Sequence, residues 1–132
     1  MASAHEETVH VAYEAWSRRD IDALLAVVHP DAEARPILGA NLGVSVYHGR
    51  QGLRDWFRDL HQEWEAFETR VTHIDDRGER ALCTICIHAR GRASGIVIDG
   101  ELYHLLELRD GMILRLEAFD DRDAAMDALE AA

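Results

Sequence analysis

The sequence predicts an α+β domain in which helices cover one face of an antiparallel sheet. The first half of the 132 residues carries apolar side chains at helical spacing, whereas the second half alternates apolar and polar side chains as strands do. No internal repeat or linker interrupts the chain. Because helices grouped at one end and strands at the other favour this class, we expect residues 1–132 to form a single domain.

Two helices are predicted near the N-terminus. Residues 5–18 have a helical apolar period, and Ser3 with Glu6 forms the S-x-x-E pattern of a capping box. Asp20 is placed to cap a second helix over 21–29, which would end before the next proline.

The rest of the chain predicts one more long helix and then strands. An apolar stripe runs through a third helix over 50–67. The remaining elements are a short strand at 31–36, a loop at 37–49, strands at 67–75 and 80–99, a hairpin at 101–121 and a terminal helix at 123–131. The Asp-Gly pair at 110–111 is typical of a tight hairpin turn.

Composition excludes several classes of partner. The net charge is -11 and no basic patch is visible, which argues against nucleic acid. No apolar run approaches the roughly 18 residues of a membrane span, and the polar N-terminus does not resemble a secretory signal. We therefore expect a soluble, cytoplasmic protein.

Cys83 and Cys86 have the CxxC spacing, but their neighbours are β-branched and apolar. Redox and zinc pairs need a turn or a helix start, whereas residues three apart in a strand point to opposite faces. We interpret both as structural thiols and expect no metal site.

Three segments resemble the SnoaL-like branch of the nuclear-transport-factor-2-like superfamily. They are AYEAWSRRDIDALLAVVHPDAE, HGRQGLRDWF and LRDGMILRLEAFDDRDAAMDALEA. The resemblance implies a curved antiparallel sheet wrapped by three helices into a cone, with a pocket inside for a small apolar organic ligand. It also implies a homodimer through the outer sheet face, and no cofactor.

His104 is the first candidate for chemistry, because it interrupts an apolar strand. Alternation puts it on one face with Leu102, Leu106 and Leu108. The resemblance implies that this face lines the cone, with Leu114, Leu116 and Ala118 of the partner strand facing inward as well. A histidine among leucines is desolvated, which favours its neutral form, and it can then act as an acid, a base or a donor. The alternative is a core histidine whose ring is satisfied by a buried hydroxyl or a water.

Arg35 and Ala118 stand where relatives carry catalytic carboxylates. The run HPDAEARPILG resembles ketosteroid isomerases, whose base precedes the proline, and here that place holds Arg35. An arginine cannot act as that base, but it can bind an anion or polarise a carbonyl, or simply pair with Glu33. Polyketide cyclases of this type have an acidic residue at the place of Ala118. The Asp-Arg-Asp motif of limonene-type epoxide hydrolases is not found.

Tyr13 lies in the helix region from which ketosteroid isomerases supply an oxyanion-binding tyrosine, so the resemblance makes it a candidate donor. The alternative is a core tyrosine whose hydroxyl reaches the surface. Side chains expected at the pocket wall are Trp16, Trp56, Phe57, His61, His88, Leu106, Leu116 and Ala118. A metal site of His61, His88 and His104 has no clustered ligand spacing to support it. The run RGRASG lacks the lysine of a phosphate loop and indicates a bend in the sheet.

Three functions remain open from the sequence. The first is an acid–base isomerase, cyclase or hydrolase acting on an apolar carbonyl or polyketide-like compound, with His104 moving the proton and Arg35 and Tyr13 holding oxygen. The second is a non-catalytic binding module. The third is a dimerisation module with a filled cone, using Tyr103, Leu105 and Phe119 on the outer face.

Overall fold

The computed structural model describes residues 4–36 and 46–131. The helices are α1 (Ala4–Ser17), α2 (Ile21–Leu25), α3 (Gly49–Glu63) and α4 (Arg122–Glu130). The strands are β1 (Val28–Arg35), β2 (Tyr47–His48), β3 (Trp64–Asp76), β4 (Arg80–Gly91), β5 (Val97–Arg109) and β6 (Met112–Phe119). Ser3 of the expected capping box and 37–45 of the expected loop lie outside these residues. No helix within the described ranges is long and apolar enough to cross a membrane.

The strands form one curved, unclosed sheet in the order β2-β1-β6-β5-β4-β3. Helices α1, α2 and α3 pack against the inner face, and the short α4 lies on the outer one. The α+β cone expected from the sequence is confirmed. One pairing departs from it, because β1 runs parallel to β6 while the other neighbours are antiparallel.

Two predicted helix ends are wrong, and long-range strand pairing explains both. The second helix ends at Leu25 instead of residue 29, because the Val27 carbonyl accepts a bond from the Ile113 amide and β1 begins at Val28. The third helix ends before Trp64, which is extended and pairs with Gly91. These strand pairings override the helical spacing of apolar residues in the sequence, because tertiary contacts commonly outweigh local propensity.

A β-bulge changes which residues of β6 face inward. Glu107 pairs with Arg115, but Leu108 pairs with Ile113, so Leu114 is an extra residue in the strand. Ile113 is therefore buried inside the cone, and the expectation that Leu114 faces inward is wrong. The hairpin itself turns at Asp110 and Gly111, both with positive φ, as the Asp-Gly pair predicted.

The outer face carries a small second core beneath α4. Leu82 and Leu105 of the sheet are buried against Ala125 and Leu129. Leu105 is therefore covered within the chain, which corrects its expected place on an exposed dimer face. Arg80 fixes the end of α4 by donating to the carbonyls of Ala128, Leu129 and Ala131, which lack partners within the helix.

The two cysteines lie as the strand pattern predicted. Cys83 is buried in the main core, Cys86 is half-buried toward the outer face, and both are free thiols.

Candidate functional site

A small cavity lies between the inner sheet face and helices α1 and α3. Its volume is about 70 Å³. Apolar side chains make up most of its wall, among them Ala12, Leu24, Leu53, Phe67, Ile87 and Leu102. The cavity is partly open to solvent, and its volume is about half that of an engineered apolar cavity of about 150 Å³ that holds one benzene.

Tyr13 and His104 bring a polar pair into this wall. The Tyr13 Oη and the His104 Nδ1 lie 2.5 Å apart, and both side chains are 8% exposed. Helix α1 supplies Tyr13 from the face that also buries Ala12 and Trp16. Strand β5 supplies His104, because alternate side chains of the strand point to the inner face, as the sequence predicted. Ser17 anchors the end of α1 to β3 through hydrogen bonds with Thr69.

Burial keeps both members of the pair neutral. Desolvation lowers the pKa of His104 from 6.5 to about 4. Desolvation also raises the pKa of Tyr13 well above its ordinary value, with a smaller contribution from Cys83, the cross-strand neighbour of His104. Burial raises the pKa of the Cys83 thiol to about 12, and the nearby charge of Asp76 adds to that rise. Near pH 7 this inner group therefore carries no charge.

The neutral pair always retains one hydrogen for a ligand. It holds two hydrogens, one on the phenol and one on the imidazole, and the bond between them uses one. If Tyr13 donates to Nδ1, the Nε2–H of His104 is free. If Nδ1–H donates to Tyr13, the phenol hydrogen is free and Nε2 has a lone pair. Either tautomer leaves a donor for an oxygen atom.

Arg35 does not join this pair. Its side chain is half-exposed, is not part of the cavity wall, and forms an ion pair with Glu33 at 3.2 Å. Glu33 also pairs with Arg115 at 3.5 Å and contributes to the cavity wall. Sequence reasoning named Glu33 only as a partner of Arg35. The irregular pairing of β1 with β6 between Val28 and Glu33 has no sequence signal that would have placed it at the wall.

Ala118 and Leu116 lie at the cavity, as the resemblance implied. Ala118 pairs in register with His104, so a methyl group stands beside the imidazole. Leu106 faces the same way but is fully buried in the core and does not contribute to the wall.

The aromatic residues divide into two layers. Trp16 and Trp56 line the cavity, with ring centroids 4.6 Å apart. Phe57 and His61 pack behind Trp16, with ring centroids 5.4 Å and 6.4 Å from it, and are not part of the wall. Burial lowers the pKa of His61.

His88 lies away from the cavity, in a shallow groove that includes Arg70 and Asp99. Its Nδ1 contacts the Asp99 carboxylate at 2.5 Å, and both side chains are exposed. The structure therefore does not bring His61, His88 and His104 together. No group of three metal-ligating side chains occurs among the residues described.

One family model matches most of the chain. The SnoaL-like domain family matches residues 9–116, a span that includes Tyr13 and His104. The chain belongs to this family. The resemblance seen in the sequence is thereby confirmed, and the SnoaL-like domain extends over most of the described residues. Comparison with curated proteins gives no match.

Solved structures with this fold share little sequence with the SnoaL-like domain described here. An NTF2-like protein of unknown function from Burkholderia pseudomallei is 20% identical, with 98% of this chain and 100% of that one covered and a TM-score of 0.82. TerC, co-crystallised with polyporic acid, is 21% identical, with 98% of this chain and 100% of TerC covered and a TM-score of 0.81. A protein with a ketosteroid-isomerase-like fold from Catenulispora acidiphila, in complex with trimethylamine, is 14% identical over 92% and 90%, with a TM-score of 0.76. These likenesses show the fold alone.

The low pKa of His104 predicts a specific loss of stability in mild acid. In the unfolded chain the imidazole binds a proton near pH 6.5, whereas in the folded protein it does so only near pH 4. The stabilisation is therefore complete above pH 6.5 and is lost as the pH falls toward 4. Between pH 7 and pH 5 we expect the free energy of unfolding to fall by about 2 kcal/mol more in the wild type than in His104→Gln, as measured by urea titration. Equal falls in both proteins would show that His104 is not held neutral.

Proposed function

We propose that the protein binds a small, largely apolar carbonyl compound in the cone cavity and that Tyr13 and His104 bind its oxygen. The observation that carries this proposal is a neutral hydrogen-bonded pair set into a largely apolar wall. Such cavities bind through apolar contact and fix orientation through a few polar groups. The free hydrogen of the pair provides that orientation.

One tautomer of the pair also supports acid–base catalysis. When Nδ1–H of His104 donates to the Tyr13 oxygen, the phenol hydrogen can bind the carbonyl oxygen of the ligand while Nε2 accepts a proton from the adjacent carbon. The electrons of the broken C–H bond move to the oxygen, where Tyr13 stabilises the developing charge. Return of the proton from the imidazolium to another carbon would complete an isomerisation.

The base strength of His104 limits which substrates this step suits. A base with a pKa of about 4 removes only protons that are themselves acidic. Compounds with a carbon between two carbonyl groups meet this condition, whereas simple ketones do not. The proposed substrates are therefore β-dicarbonyl or polyketide-like compounds. The small-molecule complexes of TerC and of the Catenulispora protein support a ligand-binding use of this fold.

Binding without catalysis is the second candidate, and the lack of an unpaired carboxylate on the described cavity wall favours it. Arg35 and Ala118 replace the acids of related enzymes, and Glu33, the acidic residue that contributes to the cavity wall, is paired with Arg35 and Arg115. In this case Tyr13 and His104 orient a ligand that is later released without chemical change.

Incorporation of solvent deuterium separates these two candidates. The probe is a β-diketone that is substituted at its central carbon. We expect the wild type to exchange the hydrogen on that carbon for deuterium faster than buffer alone does, and proton NMR measures the rate of this exchange. His104→Ala should lose this acceleration, because the Glu33 carboxylate, a further proton acceptor on the described cavity wall, is held by Arg35 and Arg115. Exchange at the buffer rate by the wild type would leave binding alone as the function.

We also propose a homodimer through the outer sheet face. Tyr103 and Phe119 form a half-buried cross-strand pair there, beside α4. Sedimentation at micromolar concentration should give a dimer that Tyr103→Glu weakens, and a monomeric wild type would contradict this.

Binding of acetophenone and ethylbenzene tests the oxygen-binding role of the pair. The two probes have the same size, and only acetophenone offers a carbonyl oxygen. We expect Tyr13→Phe to lower the affinity for acetophenone by about fivefold, which corresponds to one net hydrogen bond. The affinity for ethylbenzene should change by less than about twofold. Isothermal titration calorimetry measures both affinities.

Tyr103→Phe is the matched control, since it removes a phenol hydroxyl from the outer face. It should alter neither affinity. Equal losses for both probes in Tyr13→Phe would contradict a polar role for the pair, and failure of the wild type to bind either probe would contradict the apolar site itself.

A further inference from the structure

The hydroxyl group of Ser17 ties the end of helix α1 to strand β3. Ser17 is the last residue of α1, and its Oγ donates to the carbonyl oxygen of Thr69 at 3.0 Å and accepts from the Thr69 amide at 3.1 Å. The Thr69 Oγ1 lies 3.2 Å from the same atom. A serine hydroxyl has one hydrogen and two lone pairs, so these three contacts use all of its hydrogen-bonding capacity.

Thr69 needs such a partner because it lies in the edge strand of the described sheet. Strand β3 pairs with β4 on one side only. Backbone groups on the other side of an edge strand have no partner in the sheet. Ser17 supplies both a donor and an acceptor at this point, so one side chain takes the place of a neighbouring strand. The position of this end of α1 is thus set by bonds to the backbone of β3.

The same part of α1 carries Tyr13. Residues four apart in an α-helix lie one turn apart on the same face, and Tyr13 and Ser17 both form hydrogen bonds to the sheet. Thr69 also contributes to the cavity wall, together with Tyr13 and His104. The bonds of Ser17 and the bond of Tyr13 therefore join the same helix to the same sheet at one cavity.

The bond between Tyr13 and His104 depends closely on where α1 lies. The Tyr13 Oη and the His104 Nδ1 are 2.5 Å apart, and a hydrogen bond is lost beyond roughly 3.5 Å. A displacement of α1 by about 1 Å away from the sheet is enough to break it. Arg19 also donates to the Glu65 carbonyl of β3, so loss of the Ser17 hydroxyl should shift the helix without releasing it.

We propose that Ser17 is a positioning residue for Tyr13 and His104. It acts through the backbone of α1, since its own side chain is not part of the cavity wall. This inference rests on the proposed function, because it names the residue that holds the proposed oxygen-binding pair in place. Removal of the Ser17 hydroxyl should therefore weaken binding of the ligand oxygen more than it weakens apolar contact.

Ser17→Ala tests this role with and without a ligand. In the free protein, nitrogen-15 NMR should show the ring signals of His104 moving in the same direction as in Tyr13→Phe, because the bond at Nδ1 is weakened. In calorimetry, the affinity for acetophenone should fall by about threefold, which is part of the effect of one net hydrogen bond. The affinity for ethylbenzene should stay nearly constant.

A double-mutant cycle shows whether Ser17 acts through Tyr13. Once Tyr13→Phe has removed the phenol hydroxyl, Ser17→Ala should change the affinity for acetophenone by less than about 1.5-fold. The two effects are then non-additive, as expected of residues that act on one interaction. A general loosening of the cavity would instead lower the affinity equally with and without Tyr13→Phe.

Three further variants of α1 support the test. Ser17→Thr keeps a hydroxyl and should restore most of the wild-type signals and affinity. Thr8→Val is the matched control, because it removes a hydroxyl that donates to the Gly111 carbonyl at the other end of the helix, and it should leave the His104 signals unmoved. Ser17→Cys replaces Ser17→Ala if the latter does not fold. Its thiol is a weaker donor and acceptor, so the signals should move in the same direction by less.

The outcomes separate this proposal from the proposed function. Unmoved His104 signals in Ser17→Ala would overturn the positioning role and leave the oxygen-binding pair standing. Equal losses of acetophenone affinity with and without Tyr13→Phe would overturn it as well. If the His104 signals move but the wild type binds neither probe, the positioning role is supported and the proposed function is overturned.

Discussion

The contact between Tyr13 and His104 is the constraint on which the candidate site depends. The two residues are 91 positions apart, so their bond forms only when α1 lies across the inner face of the completed sheet. It satisfies the Tyr13 oxygen and the Nδ1 of His104, two atoms of buried side chains. Without it, the imidazole and the phenol would each be buried with an unmet hydrogen bond, at roughly 1–3 kcal/mol apiece. The fold therefore stabilises the pair and the pair holds α1 in place.

Burial explains why the inner group of Tyr13 and His104 is electrically neutral. A carboxylate in the cavity would hold a charge and could pull the imidazole toward its protonated form. Ala118 beside His104 supplies only a methyl group, and the Glu33 carboxylate forms ion pairs with Arg35 and Arg115. The pair consequently stays neutral and acts through hydrogen-bond donation first. The same neutrality makes it a weak base, which restricts any proton transfer to acidic C–H groups.

Much of the fold could be predicted from sequence because period, turn chemistry and caps are local signals. His104 could be found for the same reason, since its place follows from alternation along a single strand. Leu114 could not be placed, because a bulge depends on the pairing of two strands. The same holds for Trp64 and Val28, which leave a helical period when a distant strand offers a partner. The sequence left two roles open for Arg35, which were binding an anion or carbonyl oxygen and pairing with Glu33. The structure shows the ion pair with Glu33 and places Arg35 outside the cavity wall. A chemical role for Arg35 stays a prediction.

The protonation state of His104 tests the account most directly. Nitrogen-15 NMR of the imidazole, followed between pH 8 and pH 4.5, shows how many ring nitrogens carry a hydrogen. We predict one protonated ring nitrogen down to about pH 5, and a change in the ring signals when Tyr13 is replaced by phenylalanine. An imidazole that carries hydrogens on both nitrogens at pH 6, or that ignores the loss of the Tyr13 hydroxyl, would contradict the neutral pair on which the proposed chemistry is built.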